Sequence, residues 1–289
     1  MEAQVSSNRG RLSQWLGGSG HKWGDDPGDY DPELVARTIR RAQRVFGEGK
    51  YFGMDVEGMD NIPEAPVMLV SNHSGGTTIP DVWGFGVAWY NHFGTGRPVH
   101  PLAHEMIMST KVTGKFFGRH GVLRASRTIG AEVLTKWNRD LMVMPGGDRD
   151  TWRPYSKRYQ VCFADRTGYA RLAIKTGVPI VPVANAGAHE TLIVLTDGHR
   201  FAKRLGLQKL ARASIFPVHL SFPWGLTIGP WPHLPTPTKL RYKIGKPIAP
   251  PTGLEPGTEP SREMIKDYDA QVRAGVQTLL NKLKREDEN

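Results

Sequence analysis

The chain has 289 residues, enough for one large or two ordinary domains, and its 39% apolar and 23% charged residues exclude wholesale disorder. A single cysteine, Cys162, excludes an intramolecular disulfide and a cysteine-rich metal site, and fits a reducing compartment. The net charge of +10 points to an anionic partner: nucleic acid, an anionic membrane surface or a phosphorylated substrate.

No run of about 18 apolar residues is present, so no transmembrane helix is expected. The N-terminus has no apolar stretch behind its charges, which argues against a signal peptide. The expectation is a cytoplasmic chain, peripheral to the inner face of a membrane.

Residues 1–30 are rich in Gly, Ser and Asp and read as a flexible N-terminal segment. Asp31-Pro32 is a helix start, with Asp as N-cap and Pro at the first helical position. The spacing predicts a helix to about Phe46, with Leu34, Val35, Ile39, Ala42, Val45 and Phe46 on one side. Arg37, Arg40, Arg41 and Arg44 share another side, either a contact for an anionic membrane surface or a solvated face. Tyr51 to Val56 alternates weakly, as an edge strand does. Val67 to Val70 is a short buried strand, and it runs into Ser71-Asn72-His73-Ser74-Gly75-Gly76 with Asp81 beyond. A histidine on a glycine-containing loop, with a carboxylate nearby, suits a general base.

A helix is predicted from Asp81 to Tyr90, a strand over Val99–Ala103, and a helix from Glu105 to Phe117 with a break at Gly114. A strand end at Gly121–Leu123 and a helix over Thr128–Trp137 follow. Leu141–Met144 is a further strand, cut off by Pro145-Gly146-Gly147. A helix over Thr167–Thr176, ended by Gly177, leads to the strand Ile180–Val183 and the loop Asn185-Ala186-Gly187-Ala188-His189-Glu190. Residues 214–237 set aromatic residues among prolines and read as irregular apolar structure. Phe222, Trp224 and Trp231 there either line a pocket for an acyl chain, rest at a membrane interface, or wrap the core. Leu240–Ile244 is a last strand. Residues 251–289 form a linker and a closing helix capped by Ser261, packed on the same domain as residues 31–250.

Short apolar strands alternating with helices predict an α/β fold: a layered, largely parallel central sheet flanked by helices, with an N-terminal amphipathic helix. In such sheets sites collect at the carboxyl ends of the strands. Three strands end in unusual loops, at Asn72-His73, at Pro145–Arg149 and at Gly187–Glu190. If the strands are parallel, these loops converge.

Four ordered motifs in this region resemble the glycerolipid acyltransferase superfamily, the group that includes lysophosphatidic acid acyltransferase. The family's first motif, Asn-His with an Asp beyond, is similar to Asn72-His73 through Asp81. Its second, Gly with an Arg six residues on, resembles Gly121 to Arg127. Its third, Phe-Pro-Glu-Gly-Thr-Arg, resembles Met144-Pro145-Gly146-Gly147-Asp148-Arg149, and its fourth resembles Val178-Pro179-Ile180-Val181-Pro182-Val183. The likeness covers roughly residues 50–250. The Pro-Gly-Gly form and the later Gly-x-His-Glu look more like the diacylglycerol acyltransferase and phytyl ester synthase branch.

Two departures stand out. The acid lies eight residues after His73, where the family has five, and Thr78 stands at the family's place. Either Asp81 fills the role across a three-residue insertion or another acid does, with Glu105 and Glu190 in reserve. The third motif's Glu is replaced by Gly146, which weakens the case for a phosphorylated acceptor.

The resemblance implies acyl transfer from acyl-CoA or another acyl thioester to a hydroxyl of a glycerolipid or related lipid alcohol. His73 and Asp81 would be catalytic, and the amides of Gly75 and Gly76 would receive the oxyanion. Arg127, Gly146, Gly147 and Arg149 would bind substrate. No cofactor or metal is implied; acyl-CoA is a co-substrate. The alternatives are a basic membrane- or nucleic-acid-binding protein with a degenerate site, or a hydrolase with water as acceptor. No helix-turn-helix or RNA-binding aromatic motif supports nucleic acid.

Overall fold

The computed structural model describes residues 22–198, 216–253 and 258–288. Most of the flexible segment expected at the N-terminus, residues 1–21, lies outside these. Residues 22–30 depart from that expectation because they pack on the domain: Trp23 covers Gly114 and Gly118, and Tyr30 donates to the Thr95 carbonyl (2.9 Å).

The first helix, α1 (Pro32–Ala42), starts as its sequence dictates, with the Asp31 carboxylate accepting from the Leu34 amide at 2.8 Å. It ends four residues earlier than expected. Phe46 leaves the helical path to bridge Phe52, with the two rings 4.8 Å apart. Arg44 therefore sits in the turn after α1, although Arg37, Arg40, Arg41 and Arg44 are all exposed.

The elements that follow are β1 (Phe52–Glu57), β2 (Met68–Ser71), α2 (Pro80–Phe93), β3 (Val99–Ala103), α3 (Lys111–Arg119), β4 (Leu123–Arg124), α4 (Arg127–Thr135) and β5 (Asp140–Val143). The helix expected over residues 105–117 is broken before Thr110, not at Gly114. A 3-10 turn at Glu105–Met108 stops there, and Thr110 caps α3 by accepting from the Thr113 amide (3.1 Å). Gly114 lies inside α3, small because the Trp23 side chain lies against it.

After α5 (Gly168–Thr176) come β6 (Ile180–Ala186), β7 (Ile193–Thr196), β8 (Val218–Ser221), β9 (Gly225–Ile228), β10 (Thr238–Ile244) and α6 (Arg262–Glu288). Residues 218–228 are thus not irregular. They form an antiparallel hairpin, which joins β7 in a small three-stranded sheet. The proline-rich reading masked them because each strand is only four residues long.

The main sheet has seven strands in the order β1-β10-β6-β2-β5-β3-β4. From β6 to β4 all neighbours are parallel, while β10 runs antiparallel to β6. The core lies on both faces. Met68 and Val70 pack with α4, α5 and α6, and Val67 and Leu69 pack with Phe85 and Trp89 of α2. This alternation is the two-residue period of a strand, and burial on both faces explains why β2 reads as a continuous apolar run.

Asp140, fully buried at the start of β5, accepts from the Val67 amide (2.9 Å) and pairs with Arg97 Nε (2.7 Å). It ties β2 to β5 at the end opposite the loops. Asp140→Ala strands Arg97, so a loss of about 3–5 kcal/mol is expected on urea unfolding.

Candidate active site

The carboxyl ends of β5, β2 and β6 are neighbours, and their register is level: Val70 stands opposite Val143 and Pro182. The three unusual loops therefore meet, as the parallel arrangement requires. Asn72 and Asn185 lock two of them together. The Asn185 amide donates to Asn72 Oδ1 (2.9 Å), and Asn72 Nδ2 donates to the Asn185 carbonyl (2.9 Å). Ser74 Oγ adds a hydrogen bond to Asn185 Oδ1 (2.9 Å).

His73 Nδ1 lies 2.7 Å from Asp81 Oδ2. The same oxygen accepts from the Ser74 amide (2.8 Å), and Oδ1 accepts from the Val82 amide (2.9 Å). The acid that follows His73 at the longer spacing is thus its partner. The extra residues form a 3-10 turn at Gly76–Thr78, and Ile79 turns the chain back at φ 43°. A β-branched residue in this left-handed region is strained, and here it aims α2 so that its second residue, Asp81, faces the histidine. The start of a helix also favours a buried carboxylate through its exposed amides. The reserves are engaged elsewhere: Glu105 with Arg124 (3.2 Å), and Glu190 with Tyr155 Oη (3.4 Å).

Asp81 is 1% exposed, whereas the His73 side chain keeps 14% of its surface open. With Nδ1–H donated to Asp81, the neutral imidazole presents an unprotonated Nε2, which has no hydrogen bond among the described residues. Burial lowers the imidazole's proton affinity, but the Asp81 charge and hydrogen bond, with the Asp150 charge behind them, outweigh it. The His73 pKa is raised.

Sequence reasoning missed three residues here as parts of the site: Asp150, Arg153 and Asn185. Asp150 Oδ2 accepts the backbone N–H of His73 at 2.7 Å, and its other oxygen pairs with Arg153. Arg153 Nη2 in turn lies 3.0 Å from His189 Nε2. Burial pushes the Asp150 carboxyl up to about 6, against the pull of Arg153. Burial and the neighbouring arginines hold His189 neutral, well below the usual histidine range. The signal available was an Asp and an Arg three residues apart, just beyond the end of a buried strand.

Gly146 and Gly147 stand beside this array. A Cβ at Gly146 would overlap Asp150 Cβ and the Cys162 carbonyl oxygen, so the residue lost from the family's third motif makes room for Asp150. Arg166 Nη1 donates to the carbonyls of Pro145 and Gly146 (3.1 Å each) and holds the loop. Gly75 and Gly76 both have positive φ (94° and 62°), and a Cβ at Gly76 would run into His233 and Leu192. Arg149 is half-buried on the single helical turn Asp148–Thr151, with no ion pair among the described residues. Arg127 is exposed at the start of α4, after β4. That strand is three places from β2 in the sheet order, about 14 Å at ordinary strand spacing.

Phe222, Trp224 and Trp231 do not line an enclosed pocket; they are 61%, 59% and 58% exposed. Two open depressions, one around Tyr51 and Lys239 and one around Met54 and His92, do not include His73.

Residues 53–186, which carry this array, match the family model Acyltransferase. That span is an Acyltransferase-family domain. An uncharacterized protein of Mycobacterium tuberculosis is 28% identical over 282 residues, 96% of this chain and 74% of that protein. A Gallus gallus protein named DGAT1/2-independent enzyme synthesizing storage lipids is 24% identical over 237 residues, 82% of this chain and 62% of that protein. The crystal structure of the 1-acyl-sn-glycerophosphate (LPA) acyltransferase PlsC from Thermotoga maritima is similar at TM-score 0.46 and 20% identity, over 86% of this chain and 78% of that one.

Gly146→Ala is expected to cost about 1–3 kcal/mol by displacing Asp150, read as a lowered urea midpoint.

Proposed function

We propose that this acyltransferase moves a fatty acyl group from acyl-CoA to a hydroxyl of a glycerolipid or related lipid alcohol, with His73 as general base. The observation that carries the reading is the 2.7 Å contact between His73 Nδ1 and Asp81, which leaves Nε2 as the bare base. His73 Nε2 takes the proton as the alcohol oxygen attacks the thioester carbonyl. The tetrahedral oxyanion is received by the amides of Gly75 and Gly76, where glycine permits close approach. The carbon–sulfur bond then breaks, and the thiolate recovers the proton from the imidazolium. Asp81 fixes the tautomer and steadies the positive charge, the part a carboxylate takes in a catalytic triad, with the substrate hydroxyl in the serine's place.

Arg149, with no carboxylate partner among the described residues, is suited to a phosphate of coenzyme A or of the acceptor. Arg127, which follows a strand three places from β2, suits the nucleotide end of a long donor. The exposed Arg37, Arg40, Arg41 and Arg44 are suited to anionic headgroups. Among the described residues no helix is long and apolar enough to cross a membrane. The storage-lipid name of the Gallus gallus relative favours a neutral glycerolipid acceptor, in keeping with Gly146 in place of the third motif's Glu.

Purified chain mixed with long-chain acyl-CoA and a panel of lipid alcohols is expected to release thiol and form ester. His73→Ala should lower this turnover by about 10²–10⁴-fold. Undiminished acceptor-dependent turnover in His73→Ala refutes the mechanism, and free fatty acid without ester indicates a hydrolase. Because the base must be neutral and its pKa is raised, kcat/KM should rise with pH through a midpoint above about 6.5. Asp81→Asn should move that midpoint down.

A further inference from the structure

The small sheet is built the wrong way round for an aqueous surface. An antiparallel sheet with one wet face usually turns polar residues outward. Here the alternation places Val194, His219 and Ser221 inward, with the His219 ring tilted against Trp152 (ring centroids 5.1 Å). Leu220 and Leu226 are cross-strand partners on the opposite face, with Ile228 two residues on. Leu226 is 65% and Ile228 56% exposed, and Leu195, Leu220, Phe222, Trp224, Trp231 and Leu234 are also exposed. An exposed apolar group of this size on a small sheet, its hairpin turn and the chain that follows marks an interaction surface.

From the structure we infer that this face of the β7-β8-β9 sheet inserts into an anionic lipid bilayer and delivers the lipid acceptor to His73. Three observations select a bilayer. The indole N–H groups are already satisfied inside the chain, Trp224 Nε1 by the Pro232 carbonyl (2.6 Å) and Trp231 Nε1 by the Ile228 carbonyl (3.1 Å). Both rings can therefore enter the headgroup boundary without an unsatisfied donor, the place where Trp is favoured. The chain's net charge is +10, and between Gly198 and Thr238 the sequence has no Asp or Glu. That charge matches an anionic leaflet. The surface is also continuous with the site. Thr78 Oγ1 lies 3.3 Å from His233 Nε2, and Thr77 Oγ1 is 3.5 Å from the Trp231 carbonyl, so the loop after His73 abuts the chain that carries Trp231.

This inference deepens the acyl-transfer reading by giving the source of the acceptor, but it is tested without acyl donor, so the two fail separately. The full chain is floated with phosphatidylcholine vesicles with and without phosphatidylglycerol. It is expected to bind the anionic vesicles, less so at high salt. Leu226→Ser with Ile228→Ser should lower the partition coefficient at least about tenfold. The thermal unfolding midpoint should be unchanged, because both side chains lie outside the core. Lipids brominated on the acyl chain should quench tryptophan fluorescence, and Trp224→Phe with Trp231→Phe should remove that quenching. Wild-type binding by the Leu226→Ser, Ile228→Ser variant, or quenching that survives without Trp224 and Trp231, overturns the inference. So does a wild-type chain that leaves the vesicles unbound and instead forms an oligomer split by the hairpin substitutions.

Discussion

Asp81 is a carboxylate almost wholly removed from water, and its burial is tolerable only because each oxygen is met by a donor. Oδ2 takes the Ser74 amide and His73 Nδ1, and Oδ1 takes the Val82 amide. Its backbone carbonyl accepts from Tyr242 Oη (2.9 Å), which fixes the start of α2 against β10. The position of the acid therefore depends on the sheet as much as on its own loop. Remove the register of β2, β6 and β10, and the carboxylate has no reason to face the histidine.

A second array stands behind the first. Asp150 holds the His73 backbone while Asp81 holds its ring, and Arg153 links Asp150 to His189 on the third loop. Every loop that ends a central strand thus contributes a group whose partner lies on another. That interlocking holds the imidazole in one place, which is what the proposed proton transfer requires of it. Gly146 belongs to the same logic: the carboxylate comes from Asp150, four residues on, and only a residue without a Cβ leaves it space.

Much of this was legible in the sequence. The apolar run before Ser71, the glycines after His73 and the Pro145-Gly146-Gly147 stop announce strands ending in a shared site, and the strands of the main sheet lie close to where periodicity put them. What periodicity cannot report is side-chain pairing between distant loops. Asp150 and Asn185 look like ordinary loop residues until the fold sets one against the His73 amide and the other against Asn72. The spacing of Asp81 was legible only as a departure, because a left-handed Ile79 is a backbone event with no composition signal. The β8-β9 hairpin was hidden for a different reason. Each of its strands has only four residues, and the surrounding prolines dominate the stretch.

The apolar face of that hairpin gives the molecule its second constraint. The proposed acceptor, a lipid hydroxyl, does not dissolve, and the inferred docking of the apolar sheet beside the His73 loop would bring it from a bilayer to the imidazole.

The most direct measurement is nitrogen NMR of the chain labelled in histidine, followed through a pH titration. For His73 the neutral ring should carry its proton on Nδ1, with a pKa above the usual histidine value that falls in Asp81→Asn. A neutral His73 protonated on Nε2, or a pKa indifferent to Asp81, would contradict its assignment as a base oriented by that carboxylate.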